Sequence, residues 1–205
     1  MTTGIRRGAL RHPGVELRWY AELRALPPRV AWFQARARLL AHRQDDRFSL
    51  TSVTRPRDLR ALLSLADGRA HVVELGTATG WTAISLALAA PGRRVTSFDL
   101  VSRPEPARYL RLVGADVRAR IELVTAPGAD GPRDDRPVDL LYIDSSHERQ
   151  PTIDEVHGWR PVLAPGAAIV FDDYGHPDYP GVREAVQELG LDGQPVGTLY
   201  VVTER

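Results

Sequence analysis

Three features of the chain predict an α/β fold in which a doubly wound, mostly parallel sheet carries helices on both faces. From residue 54 onward, short apolar runs alternate with amphipathic segments. The run Val72–Leu75 passes directly into a glycine turn ending at Gly80, as a buried strand does when it feeds a helix. Several later apolar runs end in acids, and a parallel sheet lines up such residues beyond the carboxyl ends of its strands, where ligands bind. This is a Rossmann-like arrangement, preceded by an N-terminal helical extension.

Residues 14–43 read as helices interrupted at Pro27-Pro28. Val15, Trp19, Leu23 and Leu26 form one apolar stripe, and Val30, Phe33, Ala37 and Leu40 another. Trp19, Tyr20, Trp32 and Phe33 are candidates to roof a pocket. Residues 1–50 are assigned as a separate helical segment, a pocket wall, lid or dimer element, and residues 51–205 as the sheet domain. Thr54 reads as the capping hydroxyl of a helix that opens with Pro56, buries Leu59, Leu62, Leu63 and Ala66, and ends at Gly68. Strand 71–75, helix 81–90, strand 95–98, helix 105–113 and strand 121–124 follow. After a polar loop at 127–137 come strand 138–143, helix 152–159, strand 167–171, helix 180–189 and strand 198–203. Gln194–Val196 leaves little room for a further strand, so a truncated final hairpin is expected.

The chain has 205 residues, enough for one domain with a full core. No apolar run approaches the ~20 residues needed to span a bilayer. The first residues, MTTGIRRGALRHPG, lack the apolar stretch of a secretory signal. Cysteine is absent, which excludes disulfides, thiolate catalysis and cysteine-ligated zinc, and a cytoplasmic location is the expectation. All 27 basic residues are arginine, so no lysine amine is available as a general base. Residues 1–60 hold 13 Arg against 5 acids, a net +8, while 61–205 hold 14 Arg against 21 acids, a net −7. Such a basic front suits an anionic substrate, a nucleic acid, or packing across the chain's own acidic body.

The most informative stretch is VVELGTATG, Val72–Gly80. A dinucleotide turn reads G-x-G-x-x-G, because its backbone must approach a pyrophosphate. Here the pattern is Glu74-x-Gly76-x-x-x-Gly80, with a carboxylate where the first glycine would stand. An anion there opposes a pyrophosphate but suits the ammonium and sulfonium of S-adenosylmethionine, whose own carboxylate has the helix N–H groups available. Asp99 closes the next strand 25 residues beyond Glu74, close to the offset of a ribose-binding acid.

Further acids stand at later strand ends. LLYIDSSH places Asp144 at one tip with His147 three residues on, and AAIVFDDY places Asp172 and Asp173 at another. If those strands are neighbours, three carboxylates converge. Clustered anions need neutralising, and a hard divalent cation such as magnesium is their natural partner. A substrate hydroxyl on such a cation becomes more acidic, and His147 is placed to take its proton. The same acids also suit simple helix caps.

Together, VVELGTATGWTAISLALA, LLYIDSSHERQPTIDEV and LAPGAAIVFDDYGHPDYPGVREAV resemble the class I S-adenosylmethionine-dependent O-methyltransferases. Within them the chain is similar to the metal-dependent small-molecule enzymes, most of all the macrolide-sugar type and more distantly the catechol and caffeoyl-CoA type. The resemblance covers about residues 52–189. It implies that Glu74, Gly76, Thr77 and Gly80 surround the methionine part of S-adenosylmethionine and that Asp99 binds the ribose. It implies that Asp144, Asp172 and Asp173 hold Mg2+ or another divalent cation, with Asp144 also counted in the cofactor site. A histidine three residues after the metal-binding Asp marks the sugar type; catechol-type enzymes have lysine there. Asp173, where catechol-type enzymes have Asn, agrees with the sugar type. After the third strand, VTAPGAD offers no early acid or aromatic for the adenine.

The expected reaction is methyl transfer to a hydroxyl of a small molecule, with His147 as base, no membrane partner, and apolar faces in 14–43 that would support a homodimer. Alternatives are a nucleic-acid methyltransferase using the Arg-rich front, a non-catalytic cofactor-binding module, and, more distantly, a nicotinamide-dependent oxidoreductase. Against nucleic acid stand the lack of a recognisable module and the repulsion between the carboxylates and a phosphate chain.

Overall fold

In the computed structural model, which describes residues 13–204, a seven-stranded sheet runs in the order β3-β2-β1-β4-β5-β7-β6. Its strands are β1 His71–Leu75, β2 Arg94–Asp99, β3 Ile121–Thr125, β4 Val138–Ile143, β5 Leu163–Phe171, β6 Gly193–Val196 and β7 Leu199–Thr203. β1 to β5 are parallel, while β7 runs antiparallel to both β5 and β6. The helices are α1 Pro13–Glu22, α2 Pro28–Arg43, α3 Arg47–Ser52, α4 Pro56–Leu65, α5 Trp81–Ala89, α6 Pro104–Leu110, α7 Ala115–Arg118, α8 Arg149–Trp159 and α9 Pro180–Glu188. The predicted doubly wound architecture is the one observed.

Strand alternation divides the core in two. Val72, Val95, Leu140 and Val170 point to one face, where α2, α4 and α5 cover them with Phe33, Leu59, Leu62 and Trp81. Val73, Leu141, Ile169 and Phe171 point to the other, under Val156 and Trp159 of α8 and Val182 and Val186 of α9. Trp81 meets Phe33 and Tyr109 edge-on, at centroid distances of 6.4 and 5.0 Å.

Several expectations are corrected. The final hairpin is complete: Gly193–Val196 does form a strand, and Pro195 is tolerated because that strand is the sheet's edge. Thr54 does not cap α4; its hydroxyl bonds the Thr82 hydroxyl at 3.0 Å, and Pro56 opens the helix without a side-chain cap. Helix α3 was not anticipated, although Asp46 caps it by accepting from the Ser49 N–H at 3.0 Å. Trp19 and Phe33 are buried in the core, while Trp32 is 66% exposed, so none of them roofs a pocket. Of the two predicted stripes, Trp19, Leu23, Leu26, Val30, Phe33 and Ala37 are buried and Leu40 is partly so, whereas the side chain of Val15 lies outside the described residues. The expectation that the first residues carry no secretory signal falls, for residues 1–12, outside them as well.

Among the described residues, no arginine of 13–60 forms an ion pair with an acid beyond residue 60. The pairs made there, Arg18–Glu22, Arg38–Glu16, Arg47–Asp45 and Arg57–Asp58, are internal. Among the described residues, no helix is long and apolar enough to cross a membrane.

Candidate functional site

Parallel register brings the strand tips together. Leu75 pairs with Phe98 and with Ile143, and Ile143 pairs with Phe171, so the residues that follow each strand share one edge. A cavity of about 880 Å3 opens there, within the size range of small-molecule sites. Gly76, Asp99, Asp144, His147, Asp172 and Asp173 all line it. The predicted cofactor residues Glu74, Thr77 and Gly80 do not.

The reason lies in the turn after β1. Gly76 (φ 107°) passes directly beneath the tip of β4, where a Cβ would collide with the carbonyl oxygen of Asp144. Its N–H and that of Thr77 both donate to the Phe98 carbonyl, at 2.8 and 3.0 Å. The N–H of Ala78 goes to Asp99 Oδ2 at 2.9 Å. Asp99 Oδ1 accepts from the Val101 N–H at 3.0 Å, so this acid fixes two turns while facing the cavity. Each carboxylate oxygen retains a lone pair for a ribose hydroxyl.

Glu74 sits under the turn, 1% exposed, and accepts a hydrogen bond from Ser97, its register partner on β2, which also bonds Thr77 at 2.7 Å. Burial pushes its carboxyl up to about 8; the Ser97 bond opposes this, and the charges of Asp144 and Asp99 add to it. The folded protein thus holds a proton that the unfolded chain releases above pH ~4.5, and the associated stability is lost as pH rises through about 8. Glu74→Gln is expected to raise the melting temperature of the ligand-free protein at pH 9, with a much smaller gain near pH 5. An equal change at both pH values, followed by thermal denaturation, would show that Glu74 titrates normally.

At the far side of the cavity, Tyr142 and His147 stand among the carboxylates. The fully buried Tyr142 hydroxyl donates to Asp172 Oδ2 at 2.8 Å and lies 3.2 Å from Asp144 Oδ2. Burial, reinforced by both carboxylates, raises this phenol well above the ordinary tyrosine range. His147 Nε2 is 3.2 Å from Asp144 Oδ1 and 3.5 Å from Asp173 Oδ2. The hydrogen bond with Asp144 raises the imidazole above its usual range against the opposing effect of burial, and the charges of Asp144, Asp173 and Asp172 add to the rise. Burial and its neighbours' charge likewise push the Asp172 carboxyl upward. Tyr142 was missed in the sequence because it occupies an ordinary strand position; only the neighbouring strand's acid gives it a role.

The backbone here is strained. Ala78 (φ 44°), His147 (φ 59°) and Asp173 (φ 53°) have left-handed conformations, and all three line the cavity. Non-glycine residues hold such angles at a cost of ~1–3 kcal/mol each, and they gather at functional sites. The ring of Tyr179 stacks on His147 at 4.5 Å and 26°, covering one face of the imidazole.

Among the described residues, no three His, Cys, Asp or Glu side chains are arranged to hold a metal ion. Tyr142 and His147 instead bridge the acids of the predicted metal group. In donor chemistry that group fits a hard divalent cation: Asp144, Asp172 and Asp173 present carboxylate oxygens at one edge, and their mutual repulsion is what such an ion relieves.

Residues 73–174 match the family profile described as a methyltransferase domain. No curated protein matches the chain by sequence. Among solved structures, the chain is similar to the O-methyltransferase TomG from Streptomyces achromogenes, involved in tomaymycin synthesis and solved with S-adenosylmethionine. Identity is 26%, 80% of this chain and 86% of that one are covered, and the TM-score is 0.55. It is similar in fold to cofactor-bound Rv0187 from MTB, at 23% identity, 94% and 98% coverage and a TM-score of 0.64. The same holds for the TDP-rhamnose 3'-O-methyltransferase CalS11, at 17% identity, 98% and 99% coverage and a TM-score of 0.57. With its parallel sheet, its Gly76 turn and Asp99 on the cavity wall, the chain carries a methyltransferase domain over residues 73–174 and shares its fold with S-adenosylmethionine-dependent O-methyltransferases.

Proposed function

We propose that the protein transfers the methyl group of S-adenosylmethionine to a hydroxyl of a small molecule, with His147 as general base and a divalent cation such as Mg2+ at Asp144, Asp172 and Asp173. The observation that carries this reading is the seating of His147. Its Nε2 faces two carboxylates, one ring face is covered by Tyr179, and it lines the same cavity as Asp99. Asp144 and Asp173 hold the imidazole in place, and in its neutral form one ring nitrogen has a lone pair able to accept a hydroxyl proton. The acceptor oxygen then attacks the methyl carbon in line with the departing sulfur. Alignment supplies most of the acceleration, and removal of the proton keeps the oxygen nucleophilic. A bound cation would make the hydroxyl more acidic and fix its position.

The acceptor's end of the cavity is lined by Phe48, Thr51 and Ser52 of α3 and by Thr54. Of these Phe48 alone belongs to residues 1–50, so the pocket wall proposed for that segment is limited to the start of α3, with 51–205 as the catalytic domain. TomG and CalS11 serve tomaymycin and calicheamicin synthesis, which supports a natural-product intermediate as acceptor. A cytoplasmic setting is part of the proposal, supported by a chain without cysteine. The carboxylate-rich edge speaks against a nucleic acid as acceptor.

Methyl transfer from labelled S-adenosylmethionine to a panel of hydroxylated acceptors, with Mg2+ or with EDTA, tests the reading. Activity is expected with Mg2+ and a loss of more than ~100-fold in EDTA; full activity in EDTA removes the metal from the account. The pH dependence carries a second test. In the metal-free protein the His147 imidazole is expected to titrate above its ordinary range, and Asp173→Asn, which removes one of the charges holding it up, to bring it down. An NMR titration of the imidazole without added cation checks both, and a His147 that does not move in the variant would show that Asp173 does not act on it.

A further inference from the structure

The adenine end of the cavity has no partner in the loop where one is expected. Pro127, Gly128 and Ala129, which follow β3 and line the cavity, carry no polar side chain. Glu155, projecting from α8, occupies the space left by the missing Gly128 side chain. Its Oε1 lies 2.8 Å from where a Gly128 Cβ would stand. Glu155 is 5% exposed, yet it lines the cavity that holds Asp99. Its Oε2 accepts from the Ser145 hydroxyl at 2.8 Å, which fixes the plane of the carboxylate. Oε1 accepts no hydrogen bond from any described residue.

The surroundings of that oxygen are apolar. Leu75 approaches the same Gly128 position to 3.2 Å, and Phe98 lines the cavity beside it. A flat heterocycle can lie against such walls, and a buried acceptor with an open lone pair then demands a donor on its edge. Guanine-like or hypoxanthine-like edges present a carbonyl where adenine presents its amine.

We propose that Glu155 reads the adenine of the cofactor, its Oε1 accepting a hydrogen bond from the exocyclic amine. The proposal rests on the adenosyl cofactor assigned above. It makes Glu155 a specificity-determining residue, with Ser145 as the residue that positions it and Gly128 as the opening that admits it. The alternative role for Glu155 is purely structural, tying α8 to the Ser145 loop.

Calorimetric titration with S-adenosylhomocysteine and with its deaminated counterpart, S-inosylhomocysteine, separates these roles. The wild-type protein is expected to prefer the adenosyl ligand by roughly 100-fold. Glu155→Met keeps the length of the side chain but removes the acceptor, so the preference should collapse toward unity. Ser145→Ala, which frees the carboxylate from its anchor, should lower the preference without abolishing it. Equal binding of both ligands by the wild type overturns the proposal, as does a preference that survives in Glu155→Met. Binding of neither ligand overturns the proposal together with the cofactor assignment on which it rests.

Discussion

His147→Ala is expected to lower turnover by ~10^2–10^4-fold while leaving S-adenosylhomocysteine affinity within a factor of about two. The split follows from position. His147 lies at the Asp144–Asp173 end of the cavity, whereas Asp99 and the Gly76 turn stand at the tips of β2 and β1. A residue that acts only on the acceptor proton changes the chemical step and not cofactor binding. Steady-state rates with a saturating acceptor, combined with calorimetry on the variant, check both halves. Turnover close to wild type would remove His147 as base, and a parallel loss of cofactor affinity would make it a structural residue of the whole site. His147→Gln offers a control for folding, since it preserves a polar side chain beside Asp144 and Asp173 without a basic nitrogen.

Gly76→Ala is expected to be the most damaging glycine-to-alanine change among the described residues. The added carbon meets a backbone carbonyl, that of Asp144, and no rotamer change can relieve the collision. The residue's φ of 107° is also one that alanine rarely adopts. β1 and β4 are adjacent and paired in the middle of the sheet, so the conflict must displace the tip of β4, and Asp144 and His147 with it. A loss of at least ~3 kcal/mol follows, seen as a fall of roughly 10 °C in melting temperature for a domain of this size. A variant melting within 2 °C of wild type would show that the β1–β4 contact is looser than its geometry.

Most of the strands were legible because they are short apolar runs closed by an acid or a glycine. His71–Leu75 and Val138–Ile143 are both observed at their predicted limits. What failed was decided by neighbours distant in sequence. Thr54 has the composition of a cap, but Thr82, 28 residues away, takes its hydroxyl. Gln194–Val196 is too short and too polar to announce a strand, and it becomes one because β7 supplies an antiparallel partner. The strand-tip acids were visible as a set, since parallel order alone brings Asp99, Asp144 and Asp172 to one edge. Their partners were not. Tyr142 acquires meaning only from Asp172 on the adjacent strand, and Glu155 only from the missing side chain of Gly128. Glu74 reads from the motif as a cofactor ligand, yet strand alternation turns it away from the cavity toward Ser97.

Calorimetric titration of the purified protein with S-adenosylhomocysteine, run beside NAD+ and repeated with and without Mg2+, tests the central claim most directly. The account predicts saturable, one-to-one micromolar binding of S-adenosylhomocysteine and none of NAD+, because the turn at Gly76 spends its N–H groups on Phe98 and Asp99 and leaves no cradle for a pyrophosphate. Binding of NAD+ instead, or of neither ligand, would contradict it, and the role given to His147 would fall with the cofactor.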